Sequence, residues 1–157
     1  MTPTTRWVLL AHRLPREPST PRIAIWRTLR RLGAIQVADG VVALPLDART
    51  RERLEWVAEE ITDRGGEATL WLAEPATAAQ GRALADAMSA STSADYARLV
   101  AEAQATASAP AGTRRRTLGR LRRELRRIRA RDYFPSTASE RAHAAVEALG
   151  DALEIAS

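Results

Sequence analysis

The chain has 157 residues, of which 45% are hydrophobic, but 32 of the hydrophobic residues are alanine, so we expect one thin core or one domain with a helical appendix. It contains no cysteine and two histidines, His12 and His143, which excludes disulfides and argues against a zinc site. The longest apolar run, residues 7–11, is far shorter than the roughly 18 residues of a membrane span, and no charged-then-apolar leader precedes it. These features predict a cytoplasmic protein that does not associate with membranes.

The positive charge of the chain is concentrated in one segment. All 24 basic residues are arginine, and residues 114–131 hold ten of them beside a single acid, Glu124, for a net charge of +9 against −4 for the rest. Guanidinium groups at this density repel one another unless they face anions, which favours a polyanion as partner. The candidate DNA-binding residues are Arg114, Arg115, Arg116, Arg120, Arg122, Arg123, Arg126, Arg127, Arg129 and Arg131.

The first half of the chain predicts a small sheet with two helices. Apolar alternation indicates strands at residues 6–14, 34–37, 41–45 and 67–73, with an Asp39-Gly40 hairpin between the second and third. Helical spacing indicates helices from Thr20 to Gly33 and from Thr50 to Gly65. This order predicts an α+β fold with a ferredoxin-like βαββαβ core at residues 1–75. Because its helices cover one face of the sheet and the first strand is apolar on both, the second face needs cover from the rest of the chain or from a second subunit, and we expect a homodimer.

Residues 76–157 predict a helical region. Alanine-rich segments indicate helices at residues 76–88 and 94–107, the latter capped by Ser93, followed by a small and polar linker at residues 104–113. A last helix is expected to begin at Thr137, with Glu140 completing a capping box.

The arginine-rich segment is predicted to be a helix with one apolar stripe, formed by Leu118, Leu121, Leu125 and Ile128. Three interpretations stay open: a nucleic-acid surface, a solvated face of a packed helix, or a helix docked on the acidic face of residues 50–63. The segment contains no aromatic residue, so phosphate contacts with a duplex are favoured over stacking on unpaired bases.

A second cluster of cations surrounds the start of the first helix, where Ser19 or Thr20 is expected to cap. Free backbone N–H groups and guanidinium groups together suit a small tetrahedral oxyanion such as sulfate, phosphate or chromate. The alternative is a loop with solvated arginines, since no glycine-rich cradle is present. His12 is expected to be a buried, hydrogen-bonded histidine rather than a ligand or base. The candidate oxyanion-binding residues are Arg13, Arg16 and Arg22.

Signs of catalysis are weak. No catalytic triad order, nucleophile elbow or phosphate-binding glycine loop is present, so we predict no enzyme activity, no catalytic residues, no cofactor and no metal. The four tryptophans lie on or beside the predicted stripes and are expected to pack in the core or cover the sheet; they are Trp7, Trp26, Trp56 and Trp71.

Several separated motifs together resemble one known family. They read HRLPREPSTPRIAIWRTLRRLGAIQVADGVVALP, RERLEWVAEEITDRGGEATLW and RIRARDYF, and they are similar to the N-terminal domain of the bacterial chromate resistance regulator ChrB. The resemblance implies a dimeric, DNA-binding transcriptional regulator that responds to chromate and controls a chromate efflux operon. The positions that match are Arg13, Pro15, Arg16, Trp26, Arg27, Asp39, Gly40, Trp56, Arg131, Asp132, Tyr133 and Phe134.

The resemblance covers the N-terminal domain of that family and not its C-terminal chromate-resistance domain. The core is also more distantly similar to the middle domain of PaaX-type repressors and to the ferredoxin-like nucleases of CRISPR adaptation. Those nucleases place a metal-binding aspartate at the end of the first strand, where this chain reads AHRLP, so we expect no nuclease activity. The alternative to a DNA-binding regulator is a non-enzymatic module that binds a protein or RNA through its arginine-rich helix.

Overall fold

A computed structural model describes residues 5–156, without the side chain of Ala156; the outermost ends of the two predicted domains, residues 1–4 and 157, lie outside the described residues. The fold is α+β, as predicted: a four-stranded antiparallel sheet with two helices, followed by a helical half. No helix in this described part is long and apolar enough to cross a membrane. The elements are β1 (Trp7–Arg13), α1 (Thr20–Leu32), β2 (Ile35–Ala38), β3 (Val41–Pro45), α2 (Ala48–Asp63), β4 (Glu67–Ala73), α3 (Ala78–Thr106), α4 (Ala111–Ala130) and α5 (Thr137–Ala156).

The strands are ordered β2-β3-β1-β4 and every neighbouring pair is antiparallel. The central strand β1 places Trp7 opposite Pro45 of β3 and opposite Ala73 of β4. This is the strand order of the ferredoxin-like βαββαβ arrangement, so the predicted fold class is confirmed.

Two local contacts fix the ends of the sheet elements. Gly40 in the β2–β3 turn has φ of 72°, and a Cβ there would lie 2.6 Å from the carbonyl oxygen of His12, so the turn requires glycine. The backbone N–H of His12 in turn donates to the carbonyl of Gly40 at 2.7 Å. Helix α2 begins before the predicted Thr50, because Asp47 caps it: the Asp47 carboxylate accepts from the Thr50 N–H at 2.7 Å.

The core of the sheet region is smaller than the sequence indicated, because three tryptophans are outside it. Trp7 is buried, but Trp26, Trp56 and Trp71 are 57%, 63% and 60% exposed, so the expectation that all four pack in the core or cover the sheet is wrong. Trp26 and Trp56 each lie one residue from a buried stripe position, and Trp71 lies on the edge strand β4. The fully buried side chains include Val8, Leu10, Leu44, Leu54 and Ile61.

The two predicted helices after residue 76 are one continuous helix, α3, of 29 residues. Ser93 is therefore not a cap. The hydroxyl of Thr92 lies 3.3 and 3.2 Å from the carbonyl oxygens of Met88 and Ser89, either of which can accept its hydrogen. The hydroxyls of Ser89 and Ser93 instead reach Phe134 and Ser136, outside the helix. The predicted linker shrinks to residues 107–110, because α4 already begins at Ala111.

Helices α3, α4 and α5 form a second core. It consists of Tyr96, Leu99, Ala103, Leu118, Leu121, Leu125, Ile128, Ala142, Val146 and Leu149. Ser136 rather than the predicted Thr137 precedes α5 as its cap, and its hydroxyl accepts from the Ala138 N–H at 3.3 Å. The chain divides into two compact units, Met1–Asp86 and Ala87–Ser157.

Candidate nucleic-acid interface and anion hollow

The apolar stripe of α4 is buried along its whole length. Leu121 and Ile128 have no exposed surface, and Leu118 and Leu125 are 7% and 5% exposed. They pack against Tyr96 of α3 and Val146 of α5, among other residues of the second core. The predicted stripe is confirmed, and it fixes which side of α4 faces away from the core.

Nine of the ten arginines occupy the remaining faces of this helix and its C-terminal end, whereas Arg114 lies one turn before Leu118, in line with the stripe. Arg114 and Arg131 are partly buried, and the other eight are exposed. Because successive residues are about 100° apart around a helix, Arg116, Arg123 and Arg127 lie on the side opposite the buried stripe. The segment thus forms a continuous cationic ridge over the second core.

Two arginines of the segment are held by carboxylates. Arg120 pairs with Glu102 of α3 and, at 3.7 Å, with Glu124 one turn along α4; the hydrogen bond to Glu102 raises the pKa of Arg120. Arg131 pairs with Asp95 of α3 at 2.9 Å, and both of these side chains are largely buried. Within residues 5–156, the structure places no carboxylate within 4.0 Å of the other eight guanidinium groups, those of Arg114, Arg115, Arg116, Arg122, Arg123, Arg126, Arg127 and Arg129.

The RDYF motif at residues 131–134 follows α4 in the chain, and two of its side chains contact α3. Next to the Arg131–Asp95 pair, Asp132 accepts a hydrogen bond from the Tyr96 hydroxyl at 2.9 Å. Burial raises the pKa of Tyr96, which keeps this hydroxyl protonated as a donor. This network was not predicted from the sequence. The available signal was the spacing of Asp95 and Glu102, which lie seven residues apart and so share one face of α3.

The predicted oxyanion residues are only partly brought together. Arg13 is exposed and pairs with Glu67 across the sheet at 3.0 Å, while an Arg22 N–H reaches the backbone carbonyl of Arg16 at 3.5 Å. Ser19 takes the N-cap position of α1, but its side chain makes no cap hydrogen bond. Arg13 and Arg22 both line a hollow of about 580 Å³ between α1 and the sheet, and Arg16 is not among its lining residues.

His12 also lines this hollow, and it differs from the satisfied histidine that we expected. Its Nδ1 is buried and has no hydrogen-bond partner within the described part of the chain. Burial lowers the pKa of His12, although the backbone carbonyls of Leu10 and Gly40 partly offset the effect. The imidazole is therefore mainly neutral at pH 7 and adds no charge to the lining of the hollow.

Comparison with known proteins supplies the family context. Residues 22–109 match the family described as Protein ChrB, N-terminal. Over 149 residues the chain is 32% identical to Protein ChrB of Cupriavidus metallidurans (strain ATCC 43123 / DSM 2839 / NBRC 102507 / CH34), an alignment that covers 89% of this chain and 44% of the relative. The chain therefore spans less than half the length of that curated relative. No solved structure matches it significantly.

Proposed function

From the premise that this chain belongs to the ChrB N-terminal domain family, a family of chromate resistance regulatory proteins, we propose that it is a DNA-binding transcriptional regulator that responds to chromate or a related tetrahedral oxyanion. The observation that carries the DNA-binding part is the cationic ridge of α4. Eight guanidinium groups there have no carboxylate partner in the described chain.

The ridge is suited to the phosphates of duplex DNA. Its backbone is a regular helix held from below by a buried stripe, so the arginines project from a fixed support. Each phosphate contact releases counterions from DNA, which makes affinity depend steeply on salt. Because phosphate contacts position a protein without reading base identity, the ridge supplies affinity for any duplex, and sequence preference must come from other residues.

The salt dependence of binding to a DNA duplex tests this proposal. If about five arginines neutralise phosphates, the logarithm of the binding constant falls with the logarithm of salt concentration at a slope near −4.5. Replacing Arg122, Arg123, Arg126 and Arg127 by alanine should flatten the slope to about −0.9 and weaken binding to all duplexes alike. A quadruple variant that keeps the parent slope would contradict the assignment of α4.

A charge-matched control separates contact from net charge. Replacing Arg49, Arg51, Arg53 and Arg64 by alanine removes the same number of charges from α2 and its C-terminal end. We expect the slope of this variant to stay close to that of the parent. If the slope flattens equally in both variants, only the overall charge matters. If the parent has no DNA affinity at moderate salt and the α4 variant has lower thermal stability, the protein-interaction module is favoured. Equal affinity for duplex RNA and DNA would favour the RNA-binding form of that alternative.

The oxyanion response is proposed for the cations around α1. Arg13 and Arg22 share the hollow, so calorimetry with chromate and sulfate should show weaker binding in an Arg22→Ala variant than in the parent. Arg16→Ala tests whether the loop arginine contributes through its own guanidinium. Equal heats for the parent and both variants would contradict the site.

We also propose that the protein is a cytoplasmic, non-enzymatic homodimer. Support for the dimer comes from the sheet, since the edge strand β4 exposes Trp71 and Leu72. Sedimentation that finds only monomer at tens of micromolar would contradict the dimer. Magnesium- or manganese-dependent cleavage of DNA or RNA that disappears on replacement of a single acid would contradict the absence of nuclease activity.

A further inference from the structure

The hollow beside α1 has an apolar lining that a bare oxyanion would not contact favourably. It is bounded by α1, by β1 and by the β2–β3 hairpin, and its volume of about 580 Å³ falls within the range of pockets that hold small organic molecules. Ile25, Leu29 and Val42 form an apolar floor, and all three are at least nine-tenths buried. A tetrahedral oxyanion, which is polar on all sides, gains nothing from such a floor.

Cations without acidic partners surround this floor. Arg22, Arg27 and Arg30 line the hollow, and in the described chain no carboxylate lies within 4.0 Å of any of them. No aspartate or glutamate is among the lining residues. Arg13 differs, because Glu67 already neutralises it. The rim of the hollow therefore suits an anionic group.

An exposed aromatic ring stands at the same rim. Trp26 is 57% exposed, and the guanidinium of Arg30 lies 4.9 Å from the centre of its ring. A tryptophan in this position offers a flat apolar face to a ligand, and the stacked guanidinium adds a charge that planar anions recognise. Gln36 supplies a polar side chain at the rim, of the kind that fixes a ligand's orientation in small-molecule pockets.

We propose that this hollow binds an organic anion with a flat aromatic body, which lies against Trp26 and the apolar floor while its phosphate or carboxylate group contacts the guanidinium groups of Arg22 and Arg27. The inference rests on the proposed oxyanion site, because the same rim would hold the anionic group. The ligand of that site is then an aromatic anion, whose anionic group lies at the rim. A bare oxyanion would occupy the rim alone and leave the apolar floor uncovered.

Calorimetry on the full chain with matched probes tests the aromatic body. Phenyl phosphate and cyclohexyl phosphate have similar size and charge but differ in planarity, and inorganic phosphate has the anionic group alone. We expect phenyl phosphate to bind about tenfold more tightly than inorganic phosphate and more tightly than cyclohexyl phosphate. Benzoate in place of phenyl phosphate shows whether the anionic group is a carboxylate or a phosphate.

A pair of tryptophan variants tests the location. Trp26→Leu should weaken phenyl phosphate about tenfold and leave inorganic phosphate unchanged, because the substitution removes the flat ring but no charge. Trp56→Leu is the matched control, since Trp56 is similarly exposed on α2, at 63% against 57% for Trp26, and does not line the hollow. Circular dichroism checks that both variants fold. If Trp26→Leu does not fold, Arg27→Gln is used in its place and should weaken the binding of both phenyl phosphate and inorganic phosphate.

The outcomes separate this inference from the oxyanion proposal. Binding of inorganic phosphate and chromate without any gain for phenyl phosphate would overturn the inference and leave the oxyanion site standing. Tight binding of phenyl phosphate without measurable binding of chromate or phosphate would contradict the oxyanion site and support the aromatic-anion site. Equal weakening by Trp26→Leu and Trp56→Leu, or by neither, would overturn the location.

Discussion

Two helices of this protein, α1 and α4, are both basic but differ in what surrounds their arginines. Helix α4 carries its arginines on a ridge without a single aromatic residue, above a buried stripe. Helix α1 carries four arginines and no acid, but it also exposes Trp26 and borders a hollow with an apolar floor. Equal sign of charge therefore does not imply the same ligand: the ridge suits a polymer of phosphates, and the hollow suits a small planar anion.

The largest expected difference between the two helices is the salt dependence of ligand binding, which can be measured for both ligands on one protein. Between 50 and 200 mM salt, a slope near −4.5 corresponds to a loss of DNA affinity of about 500-fold. Phenyl phosphate releases no condensed counterions, so its affinity should change far less over the same range. Calorimetry and fluorescence anisotropy at four salt concentrations measure both. Parallel losses for the two ligands would contradict the difference inferred between the ligands of α1 and α4.

The next effect concerns the support of the ridge. Leu121→Ala should lower the free energy of unfolding by about 2–5 kcal/mol, because it opens a cavity where the side chain has no exposed surface. Leu153→Ala on α5, which is only partly buried against the same core, should cost less. Urea denaturation measures the difference. Equal losses in the two variants would mean that α4 is not anchored by its stripe.

The ion pairs in the two regions should differ in how much they stabilise the fold. Asp95→Asn removes the carboxylate that holds Arg131, and since both side chains are largely buried we expect a loss of about 1–3 kcal/mol in unfolding free energy. Glu67→Gln removes the partner of Arg13 on the sheet, where the two side chains are 80% and 78% exposed, and should change the free energy by less than about 1 kcal/mol. The reverse ranking in thermal or urea unfolding would contradict the structural role assigned to the RDYF motif.

The smallest effect is a dependence of stability on pH from His12. Burial lowers the pKa of His12 in the folded protein below its ordinary value of 6.5, so in acid the unfolded chain binds this proton more readily than the folded chain. The free energy of unfolding should therefore fall as the pH drops below about 6.5, and His12→Asn should flatten that part of the curve. His143→Asn, at an exposed position on α5, is the control. A curve that His12→Asn leaves unchanged would show that the imidazole titrates equally in both states.

The sequence was sufficient where periodicity decides the structure. Strand alternation and helical spacing predicted the order of elements, and the α4 stripe was predicted residue by residue. Periodicity failed between Met88 and Ala94, because serine and threonine favour a break by propensity alone. Helix α3 is continuous there because its buried face runs through the stretch, from Met88 through Thr92 to Tyr96, and such tertiary packing is invisible in a propensity scale.

Pairings between distant parts of the chain account for the rest of what the sequence did not predict. Nothing local distinguishes Arg120 and Arg131, which have acidic partners on α3, from the eight arginines that have none among residues 5–156. Trp26 lies next to the buried Ile25, and only the width of the packed face decides that one is covered and the other exposed. The proposed ligand class of the hollow depends on this exposure of Trp26, so it could not be predicted from the cluster of cations alone.

The length of α4 limits how the proposed DNA-binding ridge could contact a duplex. A helix of 20 residues rises about 30 Å, somewhat less than one turn of B-DNA, whose axis carries one phosphate charge per about 1.7 Å on the two strands together. A straight rod cannot follow a strand that winds around its axis, so it touches phosphates only where it crosses the backbone or lies along a groove edge. If the ridge binds DNA as proposed, about five of its arginines would reach phosphates at once, and the others would remain available when the protein shifts to a neighbouring register. Such a surface would let the protein slide along a duplex before it stops at a specific sequence.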